Sequence, residues 1–552
     1  MSEGPANIAA KLTDVAKLRP DVPAIYFPEG RSPDGKRIYS HYTYAELDRE
    51  SDRIAAGLEA VGIGRGIRTV LMVRPSLEFF ALTFGIFKAG AVPVMVDPGL
   101  GRKNVKNCLV ESEPEAFIGI PVAHAARLAL GWGRPTLRRM VTVGRRWFWG
   151  GHTLEDVRRL GEAAGPYSMP ATQPEDTAAI LFTSGSTGPP KGVVYQHRHF
   201  LAQVDSIRQH YGIEQGEVDL PTFPLFALFD PALGMTTVIP DMDPTQPAHV
   251  DPKLIFEAIE DFGVTNMFGS PALLRTVGRY GAAHGTRLPT LRRIISSGAP
   301  VRADVMEPFL TMLEPDAAIH PSYGASECLP VTSISSHEVL NETRHMTDQG
   351  AGICVGRPVE GMDVHIIRIT DTPIERWSQA EELPTGEIGE ICVRGPVVTE
   401  SYYRREESTA LAKIEDEEGG LFHRMGDVGN LDAQGRLWFC GRKGHRVETA
   451  AGVLFSVPCE NVFNPHAAVA RTALVGVRVG GQTVPLLCVE LEAEHRGTDP
   501  EVLMSELRAL GAGVAHTRGI DRFMIHSGFP VDIRHNAKIG REALGRWAQG
   551  RL

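Results

Sequence analysis

The chain lacks the cysteine patterns of disulfide frameworks and of zinc sites. Its seven cysteines are scattered over 552 residues and never form a Cys-x-x-Cys pair, which excludes both kinds of site and predicts a reducing compartment. A surplus of basic residues is also missing. The formal net charge is −10, and this argues against a nucleic-acid partner, because binding to phosphate backbones requires clustered Lys and Arg.

Long apolar runs are absent as well. The most apolar stretches, 79–87 and 220–240, are ended by Lys88 or interrupted by Asp230 and prolines, so neither predicts a transmembrane segment. The first residues show no basic segment followed by an apolar run, and no secretory signal is predicted. These absences predict a cytoplasmic protein and leave contact with a membrane surface open as an alternative. A serine hydrolase is disfavoured because no Gly-x-Ser-x-Gly motif occurs.

The first part of the chain alternates between helical and strand-like segments. Apolar periodicity predicts helices at 44–61 and 76–89 and strands at 69–73 and 91–96. Alternation of this kind predicts an α/β protein whose parallel sheet is covered by helices, and 552 residues are enough for three or four packed modules. The glycines within 62–66 follow a helix rather than a strand, so we interpret them as a turn and not as a dinucleotide-binding loop.

Short buried strands are predicted further along, at 264–268, 293–297 and 317–320. Each of them ends in a polar or glycine-rich loop. Ligands of open parallel sheets bind beyond the carboxyl ends of the strands. The loops Gly298-Ala299-Pro300 and Ser322-Tyr323-Gly324 are therefore candidates for one binding site.

Beyond residue 380 the pattern changes to strands separated by turns, which is more typical of an antiparallel part resembling a small β-barrel. After Gly441 a shorter unit combines strands at 473–477, 484–490 and near 522–526 with a helix that contains apolar Val502, Leu503, Leu507 and Leu510. A unit of this length forms a small α+β domain. The sequence thus predicts a large N-terminal domain, 1–441, and a small C-terminal domain, 442–552.

Residues 180–192 predict an anion-binding loop. A buried strand end is followed by hydroxyls, unhindered backbone N–H groups and an ammonium, contributed by Thr183, Ser184, Gly185, Ser186, Thr187, Gly188 and Lys191. It is not a Walker A loop, because position 190 is Pro and Gly192 follows the lysine. A flexible surface turn is the alternative, but a run of only Thr, Ser and Gly before Pro-Pro-Lys-Gly is more specific than such turns.

This loop resembles the core motif of the adenylate-forming enzymes, a superfamily of acyl-CoA synthetases, adenylation domains of peptide synthetases and luciferases. Further segments resemble the other motifs of that superfamily, in its order. They are Ala91–Pro98, His320–Glu327 (Tyr-Gly-x-Thr-Glu, with Ser326 for Thr), Phe422–Gly429 (Tyr-Arg-Thr-Gly-Asp), Gly441–Gly444 (the hinge between two domains) and Asn536–Arg541 (Gly-Lys-Ile-x-Arg).

The resemblance implies ATP and Mg²⁺ as cofactors, mobility of the small C-terminal domain about the hinge, and a role for each motif. It places Tyr323 against adenine, Asp427 on the ribose hydroxyls, Arg442 on ribose or phosphate, and Glu327 with Thr183 on magnesium. Lys538 is the implied catalytic cation, acting with Glu327 and Thr183. The implied nucleotide site also includes Ser184, Gly185, Ser186, Thr187, Gly188, Lys191, Gly298, Ala299, Pro300, Ser322, Gly324 and Ser326. In isolation, Tyr-Gly and Gly-Asp are also common turns, and an exposed lysine is usually a solvated charge.

Two departures from the superfamily pattern bear on the substrate and on the second half-reaction. Glu448 replaces an expected lysine, Ala450 and Ala451 replace glycines, and Gly444 replaces the hinge Asp or Lys. Since methyl groups prevent close backbone approach, a thiol acceptor such as CoA is disfavoured. Ala227 replaces the histidine of a Pro-Leu-Phe-His segment. The acyl pocket is predicted to be apolar and lined by Phe223, Phe226, Ala227, Phe229, Met267 and Phe268, although ordinary core packing is the alternative for each aromatic residue.

These departures, with segments 452–460 and 536–541, look most like the β-lactone synthetases of bacterial long-chain olefin biosynthesis. That resemblance implies a long-chain 2-alkyl-3-hydroxy acid that is adenylated and then closed by its own hydroxyl to a β-lactone. It also implies a complex with a ketone-reducing and a lactone-decarboxylating enzyme. The alternatives are a medium- or long-chain fatty acyl-CoA ligase and a catalytically idle lipid-binding or scaffold protein.

Overall fold

The computed structural model describes residues 5–183, 189–531 and 539–552. Helices begin where the sequence supplies caps; Thr43 and Glu46, for example, form a reciprocal capping box at the start of the helix predicted for 44–61. The α-helices of the described residues are α1 (Ile8–Leu18), α2 (Tyr44–Ala60), α3 (Leu77–Lys88), α4 (Arg102–Glu111), α5 (Pro121–Leu130), α6 (Leu154–Ala164), α7 (His197–Tyr211), α8 (Asp230–Leu233), α9 (Pro252–Phe262), α10 (Pro271–His284), α11 (Ala303–Leu310), α12 (Ser336–Glu338), α13 (Arg344–Asp348), α14 (Glu406–Ala412), α15 (Ser456–Phe463), α16 (Pro500–Ala512) and α17 (Arg541–Gln549).

The strands alternate with these helices in the first half of the chain and follow one another more closely in the second. They are β1 (Pro23–Arg31), β2 (Arg37–Thr43), β3 (Arg68–Met72), β4 (Val92–Met95), β5 (Ala116–Gly119), β6 (Arg139–Thr142), β7 (His152–Thr153), β8 (Thr177–Phe182), β9 (Gly192–Gln196), β10 (Val218–Pro221), β11 (Thr236–Val238), β12 (Asn266–Phe268), β13 (Arg293–Ser296), β14 (Ala318–Ala325), β15 (Cys328–Ser333), β16 (Ile353–Pro358), β17 (Asp363–Ile367), β18 (Gly389–Arg394), β19 (Lys413–Glu415), β20 (Leu421–Leu431), β21 (Leu437–Arg442), β22 (Val447–Thr449), β23 (Gly452–Leu454), β24 (Val469–Val479), β25 (Gln482–Leu491) and β26 (Phe523–Ile525).

The first sheet has the order β7-β6-β5-β3-β4-β8-β9. All of its neighbours are parallel except β8 and β9, which form an antiparallel hairpin. Helix α3 is buried along almost its whole length, from Phe79 to Lys88. The predicted α/β class and its helix-covered parallel sheet are confirmed, and the predicted anion-binding loop lies between β8 and β9.

The second sheet changes character at β14. Strands β10, β12, β13 and the first half of β14 are parallel neighbours, whereas β14 then pairs antiparallel with β15. From β15 onward the order β15-β16-β21-β20-β18-β17 is antiparallel throughout. The antiparallel part predicted beyond residue 380 is therefore confirmed. One expectation was wrong: Ser322-Tyr323-Gly324 is not a loop but part of β14, because the strand continues into this second set of partners.

The C-terminal part has its own sheet and core. β24 and β25 form a long antiparallel hairpin, and β26 joins β25 in parallel. Helix α16 buries Leu503 and Leu507, whereas Val502 and Leu510 of the same predicted apolar set are exposed. The proposed domain boundary at 441/442 falls at the end of β21, and both the boundary and the mobility of this part stay predictions.

Two whole-chain properties complete the fold. All seven cysteines are buried free thiols. Among the residues that the structure describes, no helix combines the length and the apolar character that crossing a membrane requires.

Candidate active site

The predicted anion-binding loop has its two ends fixed to each other. The backbone N–H of Thr183 donates to the carbonyl oxygen of Lys191 at 3.0 Å, directly beyond the last pair of the β8–β9 ladder. Ser184, Gly185, Ser186, Thr187 and Gly188 lie outside the described residues. The half-buried Lys191 places its Nζ 4.8 Å from the ring centroid of Tyr402. Burial lowers the pKa of this lysine, and the nearby Glu327 carboxylate partly opposes that shift.

Glu327 is held by groups from a segment far along the chain. Its Oε1 accepts a 2.6 Å hydrogen bond from the hydroxyl of Tyr402. Its backbone oxygen accepts two further hydrogen bonds of 2.9 Å, from the N–H and the Oγ1 of Thr399. The fully buried Lys413 donates in turn to the carbonyl oxygen of Thr399, and burial lowers the pKa of Lys413 to about 8. Lys191 and Glu327, predicted from two different motifs, therefore both contact Tyr402, and the backbone of Thr183 is tied to that of Lys191.

A second cluster joins the Tyr-Gly and Gly-Asp motifs. The hydroxyl of Tyr323 donates to Oδ2 of Asp427 at 2.8 Å, and Nη1 of Arg442 lies 2.9 Å from Oδ1 of the same carboxylate. The β20–β21 ladder pairs Asp427 directly with Arg442. Burial and the Asp427 carboxylate raise the pKa of Tyr323 well above its usual range. Asp427 raises the pKa of Arg442, so both cationic and phenolic partners keep their protons.

The remaining predicted nucleotide-site residues lie along the same sheet edge. β13 and β14 are parallel neighbours, with Ser296 opposite Pro321. The turn of Gly298, Ala299 and Pro300, which comes directly after β13, therefore lies beside Ser322 of β14. Gly324 must be glycine here, because an added Cβ would lie 2.8 Å from the backbone oxygen of Cys328. The carbonyl oxygen of Ser326 accepts a 2.5 Å hydrogen bond from the hydroxyl of Tyr195.

The six residues predicted for the acyl pocket do not form one continuous lining. Phe226 stands 4.3 Å from Phe268 and 5.5 Å from Phe223, measured between ring centroids, and the three half-buried rings form a cluster. Ala227 and Met267 are fully buried in two different hydrophobic cores. Phe229 packs against the same core as Ala227, with its ring centroid 6.4 Å from that of Phe200 in α7.

The segment that departs from the CoA-binding pattern is a short β-hairpin. β22 and β23 are antiparallel, with Val447 opposite Leu454 and Thr449 opposite Gly452. Ala450 and Ala451 occupy the turn between them. Oγ1 of Thr449 donates to the oxygen of Gly452 at 2.9 Å and accepts from the N–H of Ala451 at 3.2 Å. The exposed Glu448 pairs with Arg446 at 2.9 Å. At the position where the superfamily pattern has a lysine, this chain thus has Glu448, which is paired with Arg446.

Lys538 itself lies outside the described residues, but the structure shows what fixes the chain that follows it. Nε and Nη2 of Arg541 donate to the carboxylate of Glu460, the shortest contact being 2.7 Å, from Nη2 to Oε2. Ile539 bridges to Val531. The end of the Asn536–Arg541 motif is therefore tied to helix α15 through a bidentate ion pair, a geometry that restricts orientation as well as distance.

The donor set around Glu327 fits a hard cation that arrives with phosphate ligands. A carboxylate is the ligand type that Mg²⁺ prefers, and protein sites for Mg²⁺ commonly supply one or two carboxylates while phosphates supply the rest. Oε1 accepts from Tyr402, and Oε2 has no hydrogen bond to the described residues. Among those residues, no group of three or more His, Cys, Asp or Glu side chains has the arrangement of a self-contained metal site.

Sequence reasoning missed Tyr402, Thr399 and Lys413. Tyr402 lies in Glu-Ser-Tyr-Tyr-Arg-Arg-Glu-Glu, 400–407, where two aromatic residues interrupt a strongly charged run. That contrast is the one local signal that one of the two rings is buried. Thr399 and Lys413 carry no local signal, because their role depends on contacts with a motif more than seventy residues away.

The sequence pattern described as "AMP-binding enzyme" matches residues 12–403, which include the phosphate loop, Tyr323, Glu327 and Tyr402. The chain belongs to the AMP-binding enzyme family. This family uses ATP to form adenylates, as the resemblance implied.

Two curated relatives match almost the whole chain. The olefin β-lactone synthetase of Stenotrophomonas maltophilia is 55% identical over 99% of both chains. The olefin β-lactone synthetase of Xanthomonas campestris pv. campestris is 54% identical over 98% of this chain and 97% of its own. Among solved structures, the amide bond synthetase McbA from Marinactinospora thermotolerans superposes with a TM-score of 0.78 at 22% identity, covering 98% of this chain and 99% of its own. At that identity the structural likeness confirms the fold alone.

Proposed function

We propose that the chain is a β-lactone synthetase of olefin biosynthesis, which activates a long-chain 2-alkyl-3-hydroxy acid with ATP. The observation that carries the proposal is the identity of 55% and 54%, over nearly the full length, to two enzymes of that name. Membership of the AMP-binding family supplies the first half-reaction. The two clusters around Glu327 and Asp427 support it independently, because each combines groups that suit one part of ATP.

In the proposed site the nucleotide is recognised by the Asp427 cluster. Tyr323 offers its ring to the adenine, since aromatic faces stack on flat bases. Asp427 is acceptor-only when ionised and suits two ribose hydroxyl donors. Arg442 pairs with that carboxylate at 2.9 Å and fixes its position. The turn of Gly298–Pro300, with Ser322, Gly324 and Ser326, is proposed to line the same nucleotide site.

The phosphates are proposed to lie at the Glu327 cluster. Thr183 to Gly188 would donate hydroxyl and backbone hydrogen bonds, and Lys191 would neutralise phosphate charge. A magnesium ion bound by Glu327, and by Thr183, would stabilise the negative charge on the departing pyrophosphate. Tyr402 orients the Glu327 carboxylate, and Lys538 is proposed to steady the attacking carboxylate and the α-phosphate. The protein groups act by positioning and charge neutralisation and form no covalent intermediate.

The second half-reaction needs no further substrate. The 3-hydroxyl oxygen of the bound acyl-adenylate attacks its own carbonyl carbon, a carbon–oxygen bond forms, and the mixed-anhydride bond breaks. AMP leaves with the former carboxylate oxygen, and the hydroxyl proton passes to solvent. An intramolecular nucleophile has a high effective concentration, and cleavage of the mixed anhydride offsets the ring strain. The half-buried rings of Phe223, Phe226 and Phe268 are proposed to contact the alkyl chains.

The exposed hairpin supports this outcome over transfer to CoA. Glu448 presents a negative charge paired with Arg446, and a negative charge repels the phosphates of CoA. Ala450 and Ala451 add methyl groups at the turn, where glycines would permit closer approach. We also propose a cytoplasmic location, a mobile C-terminal domain beyond residue 441, and a complex with ketone-reducing and lactone-decarboxylating enzymes.

Product analysis without CoA tests the proposed function. A 2-alkyl-3-hydroxy acid is incubated with ATP and Mg²⁺, and we expect equal amounts of AMP and β-lactone. The matched control is the same acid without its 3-hydroxyl, for which we expect a bound acyl-adenylate and no further turnover. A parallel reaction contains CoA, which should change neither rate nor product. AMP release that requires CoA, with a thioester as product, would overturn the proposal in favour of a CoA ligase.

A further inference from the structure

An exposed aromatic and basic loop follows β6, near the β7 side of the first sheet. Strand β6 ends at Thr142, and Gly144-Arg145-Arg146-Trp147-Phe148-Trp149-Gly150 connects it to β7. Phe148 is 83% exposed and Trp147 is 56% exposed, whereas Trp149 is only 7% exposed. Two large aromatic side chains at one loop tip are unusual for a surface in contact with water alone, because such apolar patches mark interaction sites.

The loop is built so that it holds these side chains outward. Nε1 of Trp149 donates to Oγ1 of Thr142 at 2.9 Å, and its ring stacks on His124 with centroids 5.3 Å apart and planes 9° apart. The guanidinium of Arg146 donates to the carbonyl oxygen of Gly151 and closes the loop. An added Cβ at Gly151 would lie 2.3 Å from the backbone oxygen of Met140, so the chain returns against β6. The base of the loop is therefore fixed by Trp149 and Arg146, and the exposed Trp147 and Phe148 lie between them.

Charge around the loop has one sign. From residue 116 to residue 154 the chain contains no Asp or Glu but six arginines, although the whole protein carries a formal charge of −10. Arg145 and Arg146 are exposed beside the two aromatic residues. The first acidic residues beyond this run, Glu155 and Asp156, each pair with an arginine of their own helix, Arg158 and Arg159 respectively. Within the part of the chain that the structure describes, no carboxylate forms an ion pair with Arg145 or Arg146, so the loop tip presents positive charge.

An apolar side chain of helix α5 extends the same surface. Val122 is 61% exposed and follows Pro121 at the start of the helix. An added Cβ at Gly144 would lie 3.9 Å from Cδ of Pro121, so the start of α5 lies next to the start of the loop. The surface consists of Val122, Trp147 and Phe148 flanked by Arg145 and Arg146, and we refer to it as the aromatic–basic tip.

We propose that the aromatic–basic tip binds peripherally to a bilayer that contains anionic phospholipid. Tryptophan and phenylalanine partition into the region between headgroups and acyl chains, and arginines beside them contact lipid phosphates. A cationic surface gains about 1 kcal/mol for each Lys or Arg near an anionic leaflet. A projecting tip suits insertion into a soft interface better than docking to a protein, which favours flatter and well-packed patches. The proposal rests on this surface alone and does not depend on the reaction that the enzyme catalyses.

The position of the tip gives the contact a geometric consequence. It follows the carboxyl end of β6, and the phosphate loop follows the carboxyl end of β8, which lies four strands away in the order β6-β5-β3-β4-β8. At about 4.8 Å per strand the two loops emerge from the same sheet edge roughly 20 Å apart. A protein docked through the tip would therefore hold its active-site edge near the bilayer.

Vesicle sedimentation with the full-length protein tests the proposal. We expect binding to vesicles of phosphatidylcholine and phosphatidylglycerol, weaker binding to phosphatidylcholine alone, and loss at high salt, because screening weakens the electrostatic part. The double variant Arg145→Gln/Arg146→Gln should weaken binding roughly fivefold per arginine removed. The double variant Trp147→Ser/Phe148→Ser should weaken it by about tenfold or more, since it removes the inserted apolar surface.

Matched controls separate the tip from general charge and general apolarity. Arg134→Gln/Arg138→Gln removes the same charge from the same acid-free run, but before β6 and therefore at the opposite sheet edge. Leu18→Ser removes a side chain that is 70% exposed elsewhere. Both should bind vesicles like the wild type, and all variants should keep the wild-type melting temperature and the rate of pyrophosphate exchange with a water-soluble acid.

Three results would overturn the proposal. They are absence of vesicle binding by the wild type, equal weakening by the tip variants and the controls, and a change of oligomeric mass in the tip variants without any vesicle binding. The last result would assign the tip to a protein interface instead.

Discussion

The hydroxyl of Tyr402 donates a 2.6 Å hydrogen bond to Oε1 of Glu327, across a separation of 75 residues in sequence. The same ring lies 4.8 Å from the ammonium of Lys191. One buried tyrosine thus contacts both the proposed metal ligand and the proposed phosphate-binding lysine. It couples the end of the phosphate loop to the motif that follows β14.

Removing only the hydroxyl of Tyr402 should weaken the use of magnesium. The change Tyr402→Phe keeps the ring beside Lys191 but removes a hydrogen bond to a charged group, which is worth about 1.5–3 kcal/mol. We expect the magnesium concentration for half-maximal pyrophosphate exchange to rise about tenfold or more. Tyr403→Phe is the control, since its neighbouring hydroxyl is not bonded to Glu327. An unchanged magnesium dependence in Tyr402→Phe would show that the contact does not position the carboxylate.

Asp427 should govern recognition of the ribose. Asp427→Ala removes an acceptor for two hydroxyls, and the loss of two hydrogen bonds to a charged group raises the KM for ATP by at least about 100-fold. The variant should also treat ATP and 2′-deoxy-ATP alike, whereas the wild type should prefer ATP. Tyr323→Phe keeps the ring and loses the 2.8 Å contact to Asp427, and we expect less than about a fivefold change. A variant that still discriminates against 2′-deoxy-ATP would contradict the assignment.

Lys538 should be needed for adenylate formation. Lys538→Ala removes the cation proposed to balance charge between the attacking carboxylate and the α-phosphate, and preorganised charges of this kind contribute about 100- to 1,000-fold to rate. Pyrophosphate exchange should fall by that factor. Lys106→Ala, at an exposed lysine of α4, should behave like the wild type. Exchange within threefold of the wild type would remove Lys538 from the mechanism and reopen the idle-protein alternative.

A buried carboxyl pair should make stability depend on pH. Asp219 accepts a hydrogen bond from Asp230, both are enclosed, and Oδ2 of Asp230 also accepts from Thr237 at 2.9 Å. Burial raises the pKa of Asp219 to about 7, and burial with the neighbouring Asp219 charge raises the pKa of Asp230 well above its usual range. Both groups bind protons more tightly when folded. Their contribution to stability is therefore complete below the pKa of an unfolded aspartate and is lost as pH rises through the folded values.

The change Asp230→Asn tests this linkage. Its amide can still donate to Asp219 but does not titrate, so the pair no longer has to hold a shared proton. Between pH 5 and pH 8 we expect the free energy of unfolding of the wild type to fall, by at most about 1.4 kcal/mol per pH unit for each group. The melting temperature should fall with it. The melting temperature of Asp230→Asn should fall less over this range. Parallel curves for the two proteins would show that the pair does not titrate.

Much of the fold was predictable because it follows from local patterns. The helix of 44–61 and the strands around 69–73 and 91–96 rest on apolar periodicity and caps, and they are confirmed to within a residue or two at their ends. Ser322-Tyr323-Gly324 was wrongly expected to be a loop. Its backbone changes partners from β13 to β15, and such a change depends on tertiary pairing that no local pattern encodes.

The site was predictable where a motif carries its own chemistry. Thr183, Glu327 and Asp427 were predicted from their motifs; the structure places Glu327 against Tyr402 and Asp427 between Tyr323 and Arg442, and the roles of all three in nucleotide binding stay predictions. Tyr402 was not predicted, because its contact with Glu327 depends on the fold and is not indicated by the residues around it in sequence. The acyl pocket was predicted from segment 223–229 together with Met267 and Phe268. In the structure Phe223, Phe226 and Phe268 form a half-buried aromatic cluster, whereas Ala227 and Met267 belong to two different cores.

The central claim, that an adenylate is closed by the substrate's own hydroxyl, is tested most directly by oxygen isotopes. The 2-alkyl-3-hydroxy acid is prepared with ¹⁸O in both carboxyl oxygens and ¹⁶O in the hydroxyl, and the products are weighed by mass spectrometry. We predict one ¹⁸O in AMP and one in the lactone, at its carbonyl, because the mixed-anhydride oxygen leaves with AMP and the hydroxyl becomes the ring oxygen. Unlabelled AMP with both ¹⁸O atoms in the lactone would mean that the carboxylate displaced an activated hydroxyl, and it would contradict the account.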